Sequence, residues 1–206
     1  MKEYDVYLFD FDGTLCDSAK SLGPVFVHGF EAIGMKCEPE DALEYMHYSL
    51  KETADKRGVR EDQWQPFVDE IVRALDYEDS LRLISFFPET AEVIKELARR
   101  GKRMAVVSNN TVGHINLVLE RFGLSGIFEV ISGSDVVSKF KPEPEPILYV
   151  LDKLGLSSGS NIVYIGDSDQ DVECGKRAHV DVILINRAGD RRGDNVIADL
   201  KELFES

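Results

Sequence analysis

The sequence predicts an α/β fold: an open, doubly wound parallel sheet interrupted once by an all-helical insertion. Three observations carry that expectation. Short apolar runs alternate with helical patterns through most of the 206 residues. The stretch 17–79 breaks the alternation and shows helical periodicity alone. Polar, chemistry-bearing residues stand at or just past the ends of the apolar runs, which is where ligands bind in sheets of this kind.

The first apolar run, Val6-Tyr7-Leu8-Phe9, has no polar alternation, as befits a strand covered on both faces. Residues 19–33, 39–48, 51–57 and 61–75 then read as helices. In the last of these Trp64, Phe67, Ile71 and Leu75 recur at helical spacing and are expected to line a core. Beyond this insertion the alternation resumes, with strands expected at 103–107, 128–131, 161–165 and 181–185. Helices are expected at 89–100, 112–122, 145–154, 170–178 and 196–200. Strands separated by helices imply parallel pairing with right-handed crossovers, hence a Rossmann-like sheet. The expected organisation is an α/β core over 1–16 and 84–206 and a helical cap domain over 17–83, joined through 15–18 and 81–88.

A hydrophobic fraction of 43% and a charged fraction of 30% suit a soluble globular chain. The formal net charge of -14 argues against nucleic acid or an anionic membrane as partner. An anionic substrate would need a metal ion or a few placed cations. Cys16, Cys37 and Cys174 are odd in number and widely spaced, so they read as free thiols of a reducing compartment. The N-terminus shows no signal core, and no run approaches the ~20 apolar residues of a membrane span. A cytoplasmic monomer or homodimer is expected.

Asp10-Phe11-Asp12-Gly13-Thr14 follows the first apolar run directly. Two acids crowded at a buried strand end cost energy unless a cation or proton resolves them. Three further signals follow later strands: Ser108-Asn109-Asn110, Lys141-Pro142, and Gly166-Asp167-Ser168-Asp169-Gln170-Asp171. On adjacent parallel strands the four would converge on one crevice.

This combination resembles the haloacid dehalogenase superfamily of phosphotransferases, and within it the phosphoglycolate phosphatase branch. The stretch Asp-Phe-Asp-Gly-Thr-Leu-Cys-Asp-Ser from Asp10, Phe87-Pro88 before a helix, Lys141-Pro142-Glu143-Pro144 and Gly166-Asp167-Ser168 carry the likeness. The resemblance implies Asp10 as a nucleophile that forms an aspartyl-phosphate, with no base needed to activate it. It implies Asp12 as general acid and base, with its main-chain carbonyl on the metal. An Asp at that position separates phosphatases from the dehalogenating members. Gly13 would let backbone approach the phosphate, and the Thr14 hydroxyl would either contact it or cap the turn. Ser108, Asn109 and Lys141 would hold the phosphoryl group, with Lys139 a competitor for the lysine role. Asp167 would bind Mg2+, with Asp171 a ligand or its support and Asp169 an acid at a helix start.

The likeness has departures. Asn110 stands where that branch commonly has Lys, Glu145 where it has Asp, and His179 where it often has Gly. Substrate choice is expected from the cap, with His47, Lys51 and Arg57 as candidate contacts. The four histidines show no ligand spacing, and Cys16 reads as a small filler. The resulting expectation is a Mg2+-dependent phosphatase of a small phosphorylated metabolite, phosphoglycolate being one candidate. The alternatives are a β-phosphoglucomutase-like phosphomutase, or a pyrophosphatase or nucleotidase on the same scaffold. A non-catalytic binding module would have lost residues such as Asp10, Asp12, Ser108, Lys141 and Asp167, all of which are present.

Overall fold

The computed structural model describes residues 2–41, 45, 50–158, 161–191 and 193–205. In chain order the strands are β1 (Val6–Phe9), β2 (Cys16–Asp17), β3 (Ser85–Phe86), β4 (Arg103–Val107), β5 (Val130–Ser132), β6 (Ile162–Gly166), β7 (Asp181–Ile185) and β8 (Val196–Ile197). The helices are α1 (Leu22–Ala32), α2 (Leu50–Arg57), α3 (Glu61–Ala74), α4 (Glu78–Leu81), α5 (Thr90–Arg99), α6 (Val112–Arg121), α7 (Glu145–Leu154) and α8 (Asp169–Arg177). Six strands form one parallel sheet in the order β5-β4-β1-β6-β7-β8. The chain divides into two units, one of residues 1–16 with 86–206 and one of residues 17–85. The two crossings between them, β2 and β3, pair as a two-stranded ribbon.

In the sheet unit, all four residues of β1 are buried because both faces of the sheet are covered. Val6 and Leu8 join Ala105, Val107, Ile162 and Tyr164 beneath Ile147, Val150 and Leu151 of α7 and Cys174 of α8. Tyr7 and Phe9 point to the other face, as strand alternation requires, where the Phe9 ring meets Phe128 edge to face. At the end of α7, Gly155 adopts a left-handed conformation that stops the helix.

The 17–85 unit has its own core. Val25, Phe26 and Phe30 of α1 pack with Cys37, Tyr45, Ala54 and with Phe67, Ile71 and Ala74 of α3. Trp64 and Leu75 pack against this cluster from its edge, so the stripe expected from spacing does line a core. Gly29 lets α1 lie close against α3: a Cβ there would lie 2.6 Å from Ile71 Cδ1.

Most expected elements match the observed ones to within two residues at either end, but some differ in kind. The predicted helix at 196–200 is strand β8 followed by a 3-10 turn over Leu200–Phe204. Val196 and Ile197 pair with Leu184 and Ile185 at the sheet edge, and Asp199 caps the turn after them. The helix predicted over 19–33 begins as a 3-10 turn, Ala19–Ser21, before α1. The strand predicted at 128–131 lies at Val130–Ser132. The strands β2 and β3 have two residues each and are too short to leave a pattern. Of the helix predicted over 39–48, Pro39–Asp41 is a 3-10 turn, and most of the rest lies outside the described residues. His179, flagged as a departure from Gly, holds φ +56° in the left-handed region.

Replacing the fully buried Phe67 with Ala is expected to destabilise the 17–85 unit by about 3–5 kcal/mol, the cost of a large core cavity. Trp64, the chain's one tryptophan, packs on the same cluster, so its fluorescence in a urea titration measures the shift.

Candidate active site

Strand register assembles the site. Phe9 pairs with Val106 of β4 on one side and Ile165 of β6 on the other. The residues that follow the three strands therefore leave the sheet side by side: Asp10, Ser108 and Asp167. Asp10 still follows the sheet, donating its N–H to Ile165 O at 2.8 Å. The chain then turns tightly, with Leu15 N on Phe11 O at 2.9 Å and Gly13 N on Cys16 O at 2.8 Å. Gly13 makes this possible with φ +84°.

Lys141 is the centre of charge. Its Nζ donates to Asp10 Oδ1 at 2.5 Å and to Asp171 Oδ1 at 2.7 Å, and all three residues are buried. Lys139 is exposed, so Lys141 is the lysine that reaches the acids. Burial alone would lower the pKa of Lys141; the two carboxylates override it and hold the ammonium charged above its ordinary range. Burial raises the pKa of Asp10 well above the carboxylate range; Lys141 opposes the rise and Asp171 adds to it. Asp171 behaves differently. Burial pushes its carboxyl up, but Lys141, Ser168 and Tyr164 together bring it below the usual value. Its Oδ1 also accepts from the Tyr164 hydroxyl at 2.8 Å. Its Oδ2 accepts from Ser168 N at 3.0 Å and Ser168 Oγ at 2.6 Å. Both oxygens of Asp171 are thus filled by donors of this chain.

The second motif braces the others. The Asn109 amide clamps the Lys141 backbone: Oδ1 accepts from Lys141 N at 2.9 Å and Nδ2 donates to Lys141 O at 3.4 Å. Ser108 is buried, and its Oγ accepts from Asn110 N at 3.0 Å, leaving the hydroxyl its own proton to give. Asn110 Oδ1 accepts from Thr111 N at 2.9 Å, which turns Nδ2 toward Asp12 Oδ2 at 3.4 Å. Glu145, a second departure from the family pattern, accepts from Ser138 N at 2.7 Å and ties down the loop leading to Lys141.

Asp167 is exposed beside this cluster. Protein packed around one side of its carboxyl group keeps part of the water away, and this and the nearby Asp171 raise its pKa against the pull of Lys141. Carboxylate oxygens of Asp10, Asp167 and Asp171 all lie within 4.8 Å of one another. Asp169 opens α8 and pairs with Arg191 at 2.5 Å. Thr14 does not cap its turn: its hydroxyl is buried without a hydrogen-bond partner among the described residues. Cys16 is fully buried. Of the expected cap contacts, His47 lies outside the described residues. Lys51 pairs with Asp55 at 2.8 Å. Arg57 donates to Tyr45 Oη at 3.0 Å and to Lys36 O at 2.5 Å, and lies over the Phe30 ring.

Tyr164 is the site residue that sequence reasoning misses, and Ser168, Asn110 and Glu145 are named there in or beside the motifs without a role. Ser168-x-x-Asp171 carries a readable signal, since it is a capping box at the start of α8. Tyr164 reads only as one more apolar residue of its strand.

Known proteins resemble this chain in sequence and in fold. The sequence profile of the haloacid dehalogenase-like hydrolases matches residues 7–185. The chain is 32% identical to the phosphoglycolate phosphatase of Aquifex aeolicus, over 84% of this chain and 80% of that protein. It is 27% identical to the pyrophosphatase PpaX of Oceanobacillus iheyensis, over 96% and 94%. The crystal structure of a subfamily IA hydrolase of the superfamily from Geobacter sulfurreducens shares the fold, with a TM-score of 0.75 at 22% identity, over 97% and 94% of the two chains. With four motifs converging at the sheet's carboxyl edge and a family profile that spans them, the chain belongs to the haloacid dehalogenase-like hydrolase family.

Proposed function

We propose that the chain is a phosphatase that hydrolyses a small-molecule phosphomonoester through a covalent phosphate on Asp10. One observation carries this reading: a buried lysine held between Asp10 and Asp171, with a second acid, Asp12, two residues beyond Asp10. An Asp10 oxygen attacks phosphorus, and the bond from phosphorus to the alcohol oxygen breaks. The departing alkoxide takes the proton of Asp12. Water then attacks the phosphorus, gives its proton to Asp12, and releases inorganic phosphate and free Asp10. Negative charge spreads over the phosphoryl oxygens in both transition states, so placed donors supply much of the rate. Lys141 and the Ser108 hydroxyl are those donors. Asn109 acts by holding the Lys141 backbone rather than by touching phosphate, and Asn110 steadies Asp12.

The donor set fits a divalent cation of the magnesium type. Asp10 and Asp167 offer hard carboxylate oxygens close together, and like charges that near one another favour a cation between them. Asp171, filled by Lys141, Tyr164 and Ser168, supports the site from behind. The Asp12 main-chain carbonyl joins Asp10 and Asp167 by family resemblance. Gly13 provides room: a Cβ there would lie 2.4 Å from Asp167 Oδ2. Mg2+ bound here would neutralise phosphoryl charge.

Phosphoglycolate is the first candidate substrate, supported by the Aquifex relative. Inorganic pyrophosphate is the second, supported by the PpaX relative. A panel of phosphoglycolate, sugar phosphates, nucleotides and pyrophosphate, read by phosphate release with Mg2+ and with chelator, separates them. Migration of phosphate without release would indicate a mutase instead.

Asp10→Asn is expected to abolish turnover on every ester with the circular dichroism unchanged; substantial residual hydrolysis would overturn the nucleophile assignment. Asp12→Asn should lose about 100-fold or more on alkyl phosphates and much less on aryl phosphates, whose leaving groups need no proton. Equal losses on both classes count against Asp12 as the acid. Gly13→Ala is expected to raise the Mg2+ concentration needed for half-maximal rate at least about tenfold, since it combines a strained φ with a clash against Asp167.

A further inference from the structure

Arg187 lies two residues past the end of β7 and reaches back to the turn that carries Asp10 and Asp12. Its NH2 donates to Thr14 O at 2.9 Å. Its NH1 donates to Glu89 Oε1 at 2.6 Å, and Glu89 is buried. The guanidinium carbon sits 3.5 Å from the centre of the Phe87 ring. The fork therefore has three partners, on α5's approach and on the catalytic turn, that fix its plane. Its Nε is buried without an acceptor among the described residues.

The neighbouring peptide is held in the same way. Leu15 O accepts from Thr90 Oγ1 at 2.8 Å and from Phe87 N at 3.3 Å. The Thr14 side chain contributes no hydrogen bond of its own among the described residues, so the exit of the turn is set through its carbonyls. The Thr14 carbonyl lies inside a turn closed by Gly13 N on Cys16 O at 2.8 Å and by a bridge between Asp12 and Cys16, so a shift of that carbonyl is passed to the Asp12 backbone.

We propose that Arg187 is a positioning residue for the 10–16 turn: oriented by Glu89 and Phe87, it holds the Thr14 carbonyl and thereby aims Asp12 at the departing oxygen. The inference rests on the phosphatase reading above. Its signature is a loss concentrated in kcat and in substrates that need leaving-group protonation. A merely structural arginine would lower the folded fraction and with it all rates alike.

The test uses the full chain with Mg2+, para-nitrophenyl phosphate as the aryl ester, and an alkyl phosphate that the wild type accepts. Arg187→Lys keeps the charge beside Glu89 but cannot serve Glu89 and Thr14 with one planar fork. It is expected to lower kcat on the alkyl ester about tenfold or more, with KM within about twofold and a smaller loss on the aryl ester. Arg187→Ala should show the same pattern more strongly. Should Arg187→Ala fail to fold, Arg187→Lys and Glu89→Gln carry the test, the latter with a smaller loss of the same pattern. Rates within about twofold of wild type in a folded Arg187→Lys, or equal losses on both esters that track the folded fraction by circular dichroism, overturn the inference. A wild type that releases phosphate from no aryl or alkyl phosphate offered overturns the phosphatase reading and this inference together, whereas an active wild type with indifferent Arg187 variants overturns the inference alone.

Discussion

The buried contact of Lys141 with Asp10 and Asp171 is the interaction on which the rest of the site depends. A lysine at this depth has lost its water, and only a pair of carboxylates at 2.5 and 2.7 Å keeps its ammonium charged. The dependence is mutual. Asp10 and Asp171, both buried and near Asp167, would repel one another without it. Removing one partner from a buried ion pair of this kind costs about 3–5 kcal/mol, because the remaining charge has no solvent to turn to. The surrounding contacts serve to hold this triad. Asn109 grips the Lys141 backbone, Glu145 ties its loop, Tyr164 shares Asp171 Oδ1 with Lys141, and Ser168 occupies Oδ2.

The triad also separates the roles of three neighbouring acids. Asp171 is surrounded by donors and stays a carboxylate. Asp10 has one oxygen on Lys141, and Asp167 stands exposed at the edge of the cluster. Asp12 lies outside the triad, beside a neutral amide. These four acids together would be a liability in a chain of net charge -14. The fold turns them into a graded set by giving each a different number of positive and hydrogen-bonding neighbours.

Departures from the family pattern acquire physical content in the same way. Asn110 puts an amide, not an ammonium, against Asp12. Glu145 uses its extra methylene to reach Ser138 N. His179 accepts a left-handed backbone that Gly would adopt without strain. Arg187 and Glu89 show that the 10–16 turn is supported from outside its own motif. Neither residue belongs to any of the four motifs, and they are 98 positions apart in the chain.

The sequence by itself determined the class of fold, most of the strands and helices, and the identity of the motif residues. Those signals are local: the unbroken run Val6–Phe9, the helical spacing of Trp64, Phe67 and Ile71, and the placing of Asp10, Ser108 and Asp167 after apolar runs. It failed where local signals conflict or are too short. Val196 and Ile197 sit in a stretch that also reads as helix, and the choice went to the free edge of β7. The two-residue strands at Cys16–Asp17 and Ser85–Phe86 exist only because they pair with each other. Tertiary structure alone decided that Lys141 and not Lys139 meets Asp10, that Asp171 serves the lysine, and that Arg187 holds Thr14. Each of those choices is a distance between residues far apart in sequence, set by strand register and loop packing, and periodicity along a chain contains no such distances.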